Sequence, residues 1–162
     1  MQTFLPYADF KKTFETLDYK RLGKQRVEAK QLLDILCKRN VESKWFYHPI
    51  TKMWSGYQNA LKLYHNLCLT EWINRGYKNN MEYELIDNKI RPESVDDWIR
   101  YPHWFGNDLF HSSHRANLLR KDKEFYSTYN WKEDSNDPYA WYDIYKKRWY
   151  LQHSGTKNKE WL

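Results

Sequence analysis

Leu17-Asp18-Tyr19-Lys20-Arg21-Leu22-Gly23-Lys24-Gln25-Arg26-Val27-Glu28-Ala29-Lys30-Gln31 is the stretch on which the fold turns. Arg21, Lys24, Glu28 and Gln31 recur at spacings of three, four and three, so on a helix they form one polar stripe, while Leu22, Ala29, Leu32, Leu33 and Leu36 form an apolar one. The pattern predicts a helix from about Asp18 to about Arg39, with Gly23 as a weak point near its start. A polar stripe of this kind can grip an anion and hold a carboxylate beside it. It is equally the pattern of an ordinary solvated helix face with local ion pairs.

A second helix is expected downstream. His48-Pro49 opens it with proline in the first turn, Ile50, Met53, Trp54, Tyr57, Leu61, Tyr64, Cys68 and Trp72 keep the three-four spacing, and Gly76 closes it. A third starts at a cap, Asn107 or Asp108, and runs to about Lys121. Residues 77–106 carry few regular signals beyond a short turn over Val95–Ile99, and read as a long connection. Tyr139 to Leu151 is expected to form a last helix and His153 to Leu162 a loose tail. With strand signals nearly absent, the expected fold is all-α: a compact single domain of three main helices with long irregular connections, spanning residues 1–142, followed by an aromatic-basic extension over 143–162.

A chain of 162 residues suits one domain with a real core. Its apolar mass is carried by rings: 9 Trp, 14 Tyr and 7 Phe, which can pack a core or stack on bases. The net charge of +6 is the footprint of a polyanion partner. Cations interleave with rings in Lys44-Trp45-Phe46-Tyr47 and in Tyr145-Lys146-Lys147-Arg148-Trp149-Tyr150, an arrangement that meets phosphates with charge and bases with stacking planes. No basic amphipathic segment of membrane type is present, so no membrane partner is expected. Cys37 and Cys68 read as buried free thiols in a reducing compartment. The N-terminus lacks a signal-peptide pattern, and an intracellular, cytoplasmic location is expected.

The chain has no glycine-rich phosphate loop and no Gly-x-Ser-x-Gly elbow, which leaves kinase, dehydrogenase and serine-hydrolase chemistry without support. His111 and His114 share a helix face but lack the third and fourth ligands of a zinc site, so no metal and no cofactor is expected, and contacts to phosphate or base beside Arg115 are preferred. The acid-base and amine candidates are Glu28 and Lys24, one turn apart, with Glu71 and His48. Cleaving a base from its sugar needs a carboxylate to stabilise charge developing at the sugar carbon, and often an amine that captures that carbon as a Schiff base. A surface ion pair is the competing reading of Lys24 and Glu28.

The order Leu17 to Glu28, then His48-Pro49 with Met53-Trp54-Ser55-Gly56-Tyr57, Glu71-Trp72-Ile73-Asn74-Arg75-Gly76-Tyr77, Trp104-Phe105-Gly106 and His111-Ser112-Ser113-His114-Arg115, resembles bacterial and phage proteins of the pyrimidine-dimer DNA glycosylase, or endonuclease V-like, family. The resemblance implies a mostly helical domain that binds duplex DNA without a metal, flips a nucleotide out of the stack and joins base excision to strand cleavage through an N-terminal amine assisted by a glutamate. The chain departs from that pattern at Gln2 and at Arg21, and a short shift of register makes Glu28 the glutamate. On this reading Glu28 is the acid-base group and Lys24 or the N-terminus the amine. Arg21, Gln25, Arg26, His48, Trp104, His111, His114 and Arg115 contact double-stranded DNA, and the protein acts as a monomer with no obligatory protein partner. A DNA-binding module without catalysis, and an enzyme acting on a free modified nucleotide, are the alternatives.

Overall fold

The computed structural model describes residues 1–86 and 99–162. They fall into two units, one made of Met1–Thr3 with Asp9–Pro102 and the other of Phe4–Ala8 with His103–Leu162.

In the first unit, α1 (Phe10–Thr16) starts where Asp9 accepts the Lys12 N–H, and α2 (Tyr19–Leu36) where Asp18 accepts the Arg21 N–H. These caps satisfy amide groups that a helix start otherwise leaves unpaired. The expected second helix is two: α3 (Pro49–Trp54) and α4 (Gln58–Asn74). The break falls at Ser55-Gly56, where Gly56 takes a φ of +86° that a side chain would resist. Leu22, Ala29, Leu32 and Leu33 of α2 and Leu61, Tyr64, Cys68 and Leu69 of α4 are fully buried, and the two helices pack along their length. Phe14 and Tyr64 meet edge to face at 4.6 Å, and Phe10 joins Tyr64 at 5.4 Å. Burying such a ring contributes roughly 1.5–3 kcal/mol. Gly23 is where α2 meets the Trp72 ring: a Cβ there would stand 3.0 Å from it.

Residues 81–85 form no helix or strand. The Asn66 side chain accepts the Glu84 N–H (2.7 Å) and donates to its carbonyl (2.8 Å), imitating a strand partner. The Arg39 guanidinium grips the Glu84 carboxylate with two bonds of 2.8 and 2.9 Å and holds it below the usual carboxylate range. Most of the expected turn over Val95–Ile99 lies outside the described residues.

In the second unit, α5 (Asp108–Lys121) is capped by Asn107, and α6 (Lys123–Tyr126) leads into a 3-10 turn that ends at left-handed Asn130. The expectation of an all-α fold is corrected here. Tyr139–Asp143 (β1) and Arg148–Gln152 (β2) are antiparallel, with Tyr139 opposite Gln152 and Asp143 opposite Arg148, and Glu160–Trp161 (β3) pairs with β2. The expected last helix and loose tail are therefore a three-stranded sheet. Its rings are strong strand formers that pair across the ladder, as Tyr142 does with Trp149 at 5.3 Å. The turn is set by Asp143, which accepts the N–H groups of Tyr145 and Lys146, and by Lys147 at a φ of 52°. The expectation of three main helices is corrected likewise, since six α-helices occur among the described residues.

Candidate active site at the amino terminus

Glu28 meets the beginning of the chain within the first unit. Gln25 and Glu28, three apart on α2, both lie on its buried face. Glu28 Oε2 accepts the Gln2 N–H (3.1 Å) and a Gln25 Nε2–H (3.3 Å), while the same Gln25 amide donates to the Gln2 carbonyl (3.0 Å). Gln25 Oε1 accepts the Tyr64 hydroxyl at 2.7 Å. Tyr64 is fully buried, and that burial pushes its phenol well above the ordinary range, so it stays a donor. A chain of hydrogen bonds therefore runs from the core through Gln25 to the backbone of residue 2, and every member of it is buried.

Helix α3 holds the same segment from its other side. Trp54 Nε1 donates to Thr3 Oγ1 (2.9 Å) at the end of α3, and His48 caps the beginning by accepting the Ile50 N–H at Nδ1 (3.1 Å). Burial, and then the positive charge of the N-terminal amine, push the His48 imidazole down to about 4. Its ring is neutral at physiological pH, and with Nδ1 accepting, the ring proton sits on Nε2. Thr3 is thus tied to Trp54, and the amine of residue 1 is near enough to His48 for its charge to act there. Lys24 is on the solvent side of α2, its side chain 69% exposed and its Nζ 3.5 Å from Glu28 Oε1. One carboxylate, two amines and a neutral imidazole gathered around three anchored residues can take a proton from an amine, stabilise a cationic sugar and hold a Schiff base.

The other candidate residues are placed as follows. Arg21 pairs with Asp18 at 3.2 Å. The Arg26 guanidinium sits over the Trp72 ring, its Cζ 3.9 Å from the ring centre, and burial lowers its pKa. In the second unit, Trp104 is buried 4.9 Å from Phe110. His111 Nδ1 stands 2.7 Å from the Leu5 carbonyl, and its Nε2 accepts the Gly106 N–H (2.9 Å), so the ring is neutral and donates to Leu5. His114 Nδ1 accepts the Leu5 N–H at 2.9 Å, and Arg115 donates to the Pro6 carbonyl (2.7 Å) and to Glu133 (2.6 Å). Burial lowers both imidazoles, His114 well below the usual value, and the pair clasps the backbone of residue 5.

Sequence reasoning missed Tyr64, Trp54 and Thr3 as parts of the site. No local spacing signals them, because their partners are 39 and 51 residues away. Cys68 is a buried thiol, whereas Cys37, expected to be buried, is half-exposed at the end of α2. Among the described residues no helix is long and apolar enough to cross a membrane, and no three His, Cys, Asp or Glu side chains cluster closely enough to hold a metal ion.

The family model described as pyrimidine dimer DNA glycosylase matches residues 1–85, which include the whole of the arrangement around Glu28. The chain belongs to the pyrimidine dimer DNA glycosylase family, whose substrate is DNA. No curated protein and no solved structure matches it.

Proposed function

We propose that the protein excises damaged or modified pyrimidines from duplex DNA after turning the nucleotide out of the stack, and then cleaves the strand at the resulting abasic sugar. The amine of residue 1 attacks the sugar C1′, forming a C–N bond as the glycosidic bond breaks and the base leaves with its electron pair. Opening of the sugar ring gives a Schiff base. Loss of a C2′ proton then expels the 3′ phosphate. Glu28 accepts protons from the amine and stabilises positive charge at the sugar, and Nε2–H of His48 donates a hydrogen bond to the reacting nucleotide. Arg21 and Lys24 contact phosphates beside the lesion.

The observation that carries this reading is the Glu28 carboxylate bound to the Gln2 N–H, one residue from the amine, inside a buried network that extends to Tyr64. Lys24 is the rival amine, but its ammonium is an exposed partner of Glu28 with no comparable anchoring. The test is incubation with a duplex carrying a single cyclobutane pyrimidine dimer, with and without borohydride. Strand cleavage, together with a covalent protein–DNA adduct in borohydride, is expected. Binding without either product removes the catalytic reading and leaves a DNA-binding module.

A further inference from the structure

The connection from Asn40 to His48 ends in Lys44-Trp45-Phe46-Tyr47, and its last two rings face water. Tyr47 is 78% exposed and Phe46 39%, and they touch edge to face at 5.0 Å. The turn beneath them is firmly built. The Trp45 carbonyl accepts the His48 N–H (3.0 Å) and the Thr51 hydroxyl (2.7 Å), the Phe46 N–H bonds the Ser43 carbonyl (3.0 Å), and the Trp45 N–H bonds the Ser43 hydroxyl (3.2 Å). Trp45 itself packs edge-on against His48 at 5.5 Å, with Lys44 Nζ 4.9 Å from its ring centre. Two large rings standing in water on a rigid support are oriented for something other than the core of this unit.

Their position follows from the chain path. Tyr47 immediately precedes His48, and the amine lies close enough to His48 for its charge to be felt there. Trp54, at the far end of α3, bonds Thr3. The exposed ring pair therefore adjoins the imidazole on which the charge of the amine acts.

We propose that Phe46 and Tyr47 form a wedge that enters the duplex at the lesion step and fills the gap left by the nucleotides turned out toward Glu28. The proposal rests on the excision reading given above. An aromatic face stacks on any base, so such a wedge holds the duplex open whatever the flanking sequence, and the adjacent Lys44 ammonium suits the phosphate next to the kink. The wedge separates two demands of the reaction. Displacing a paired lesion needs it, whereas a preformed abasic site has no base to displace and offers its sugar carbon without it.

The test compares wild type with the double variant Phe46→Ala/Tyr47→Ala on two duplexes, one with a cyclobutane dimer and one with a preformed abasic site. Dimer excision is expected to fall about tenfold or more, while trapping on the abasic duplex stays within about twofold of wild type. A 2-aminopurine opposite the dimer should brighten with wild type and not with the variant. The pair Phe46→Tyr/Tyr47→Phe, which keeps both rings, should restore excision. Equal activity of the alanine variant on both duplexes, or an equal loss on both, overturns the wedge while leaving the chemistry standing. Failure of wild type on both duplexes removes the excision reading and the wedge with it.

Discussion

Replacing Glu28 with alanine and with glutamine should separate its two duties. In the native protein its Oε2 accepts the buried Gln2 N–H and one hydrogen of Gln25. Alanine leaves the Gln2 amide without an acceptor in a place 6% exposed to water. A buried donor stranded in this way costs roughly 1–3 kcal/mol, and the lost Gln25 bond and small void bring the total to about 2–4 kcal/mol. For a chain of this size that corresponds to a melting point lower by about 5–12 °C. Glutamine keeps an oxygen for the Gln2 N–H, and Gln25 retains its bond to the Gln2 carbonyl, so its cost should be about 1 kcal/mol or less. Both variants lose the carboxylate, and both should cleave dimer-containing DNA about 100-fold more slowly or worse. Calorimetry and single-turnover cleavage on the same preparations give both numbers. An alanine variant that melts within about 1 °C of wild type, or a glutamine variant that keeps more than about a tenth of the cleavage rate, would refute these two duties of Glu28.

Gly23→Ala should destabilise the protein by about 1–3 kcal/mol although alanine is the better helix former, because the new methyl meets the Trp72 ring at 3.0 Å; a melt at or above the wild-type temperature would contradict this. His48, His65, His111 and His114 all have pKa values below 6.5 in the folded state. Below pH 6.5 the unfolded chain therefore binds more protons than the native one, so stability is full above that pH and falls as the pH is lowered. The melting temperature should drop between pH 7 and pH 5, before carboxylates titrate, and a flat profile there would refute the assignment of neutral imidazoles. Below that window the Glu84 carboxylate, depressed by Arg39, adds stability that is lost as pH falls through its own titration, and Glu84→Gln should remove that part of the acid sensitivity. His114→Ala removes the acceptor of the buried Leu5 N–H and opens a void, with an expected loss of about 2–4 kcal/mol; limited proteolysis should then cut within residues 4–8, and full resistance there would count against the clasp.

The helices were legible where an apolar stripe recurs every three or four residues over several turns, as in α2 and α4, or where a capping residue opens one, as in α5. The interruption between α3 and α4 was not, because Met53, Trp54 and Tyr57 keep helical spacing across Ser55-Gly56, and only the backbone twist of Gly56 ends the helix. The sheet was missed for a different reason. Tyr139 to Asp143 and Arg148 to Gln152 are rich in rings that serve helix, strand and binding surface alike, and what makes them strands is pairing with one another and the bond from the Ala140 N–H to Ser113. Glu28 could be singled out because Lys24 lies one turn away. That Gln25 belongs to the buried side, locked to Tyr64 and to the backbone of residue 2, depends on contacts between segments far apart in sequence, which no periodicity encodes. His111 and His114 do share a face, and what that face clasps, the Leu5 backbone, lies 106 and 109 residues away.

In the function proposed here the amine of residue 1, whose neighbours Gln2 and Thr3 are held by Glu28, Gln25 and Trp54, is the attacking group, and the site of covalent capture reports on that directly. Borohydride reduction of the protein on an abasic duplex, followed by proteolysis and mass spectrometry, should find the sugar remnant on the α-amine of the N-terminal peptide, and a version with extra residues ahead of Met1 should form no adduct. An adduct on Lys24, or capture that persists undiminished in the extended protein, would contradict it.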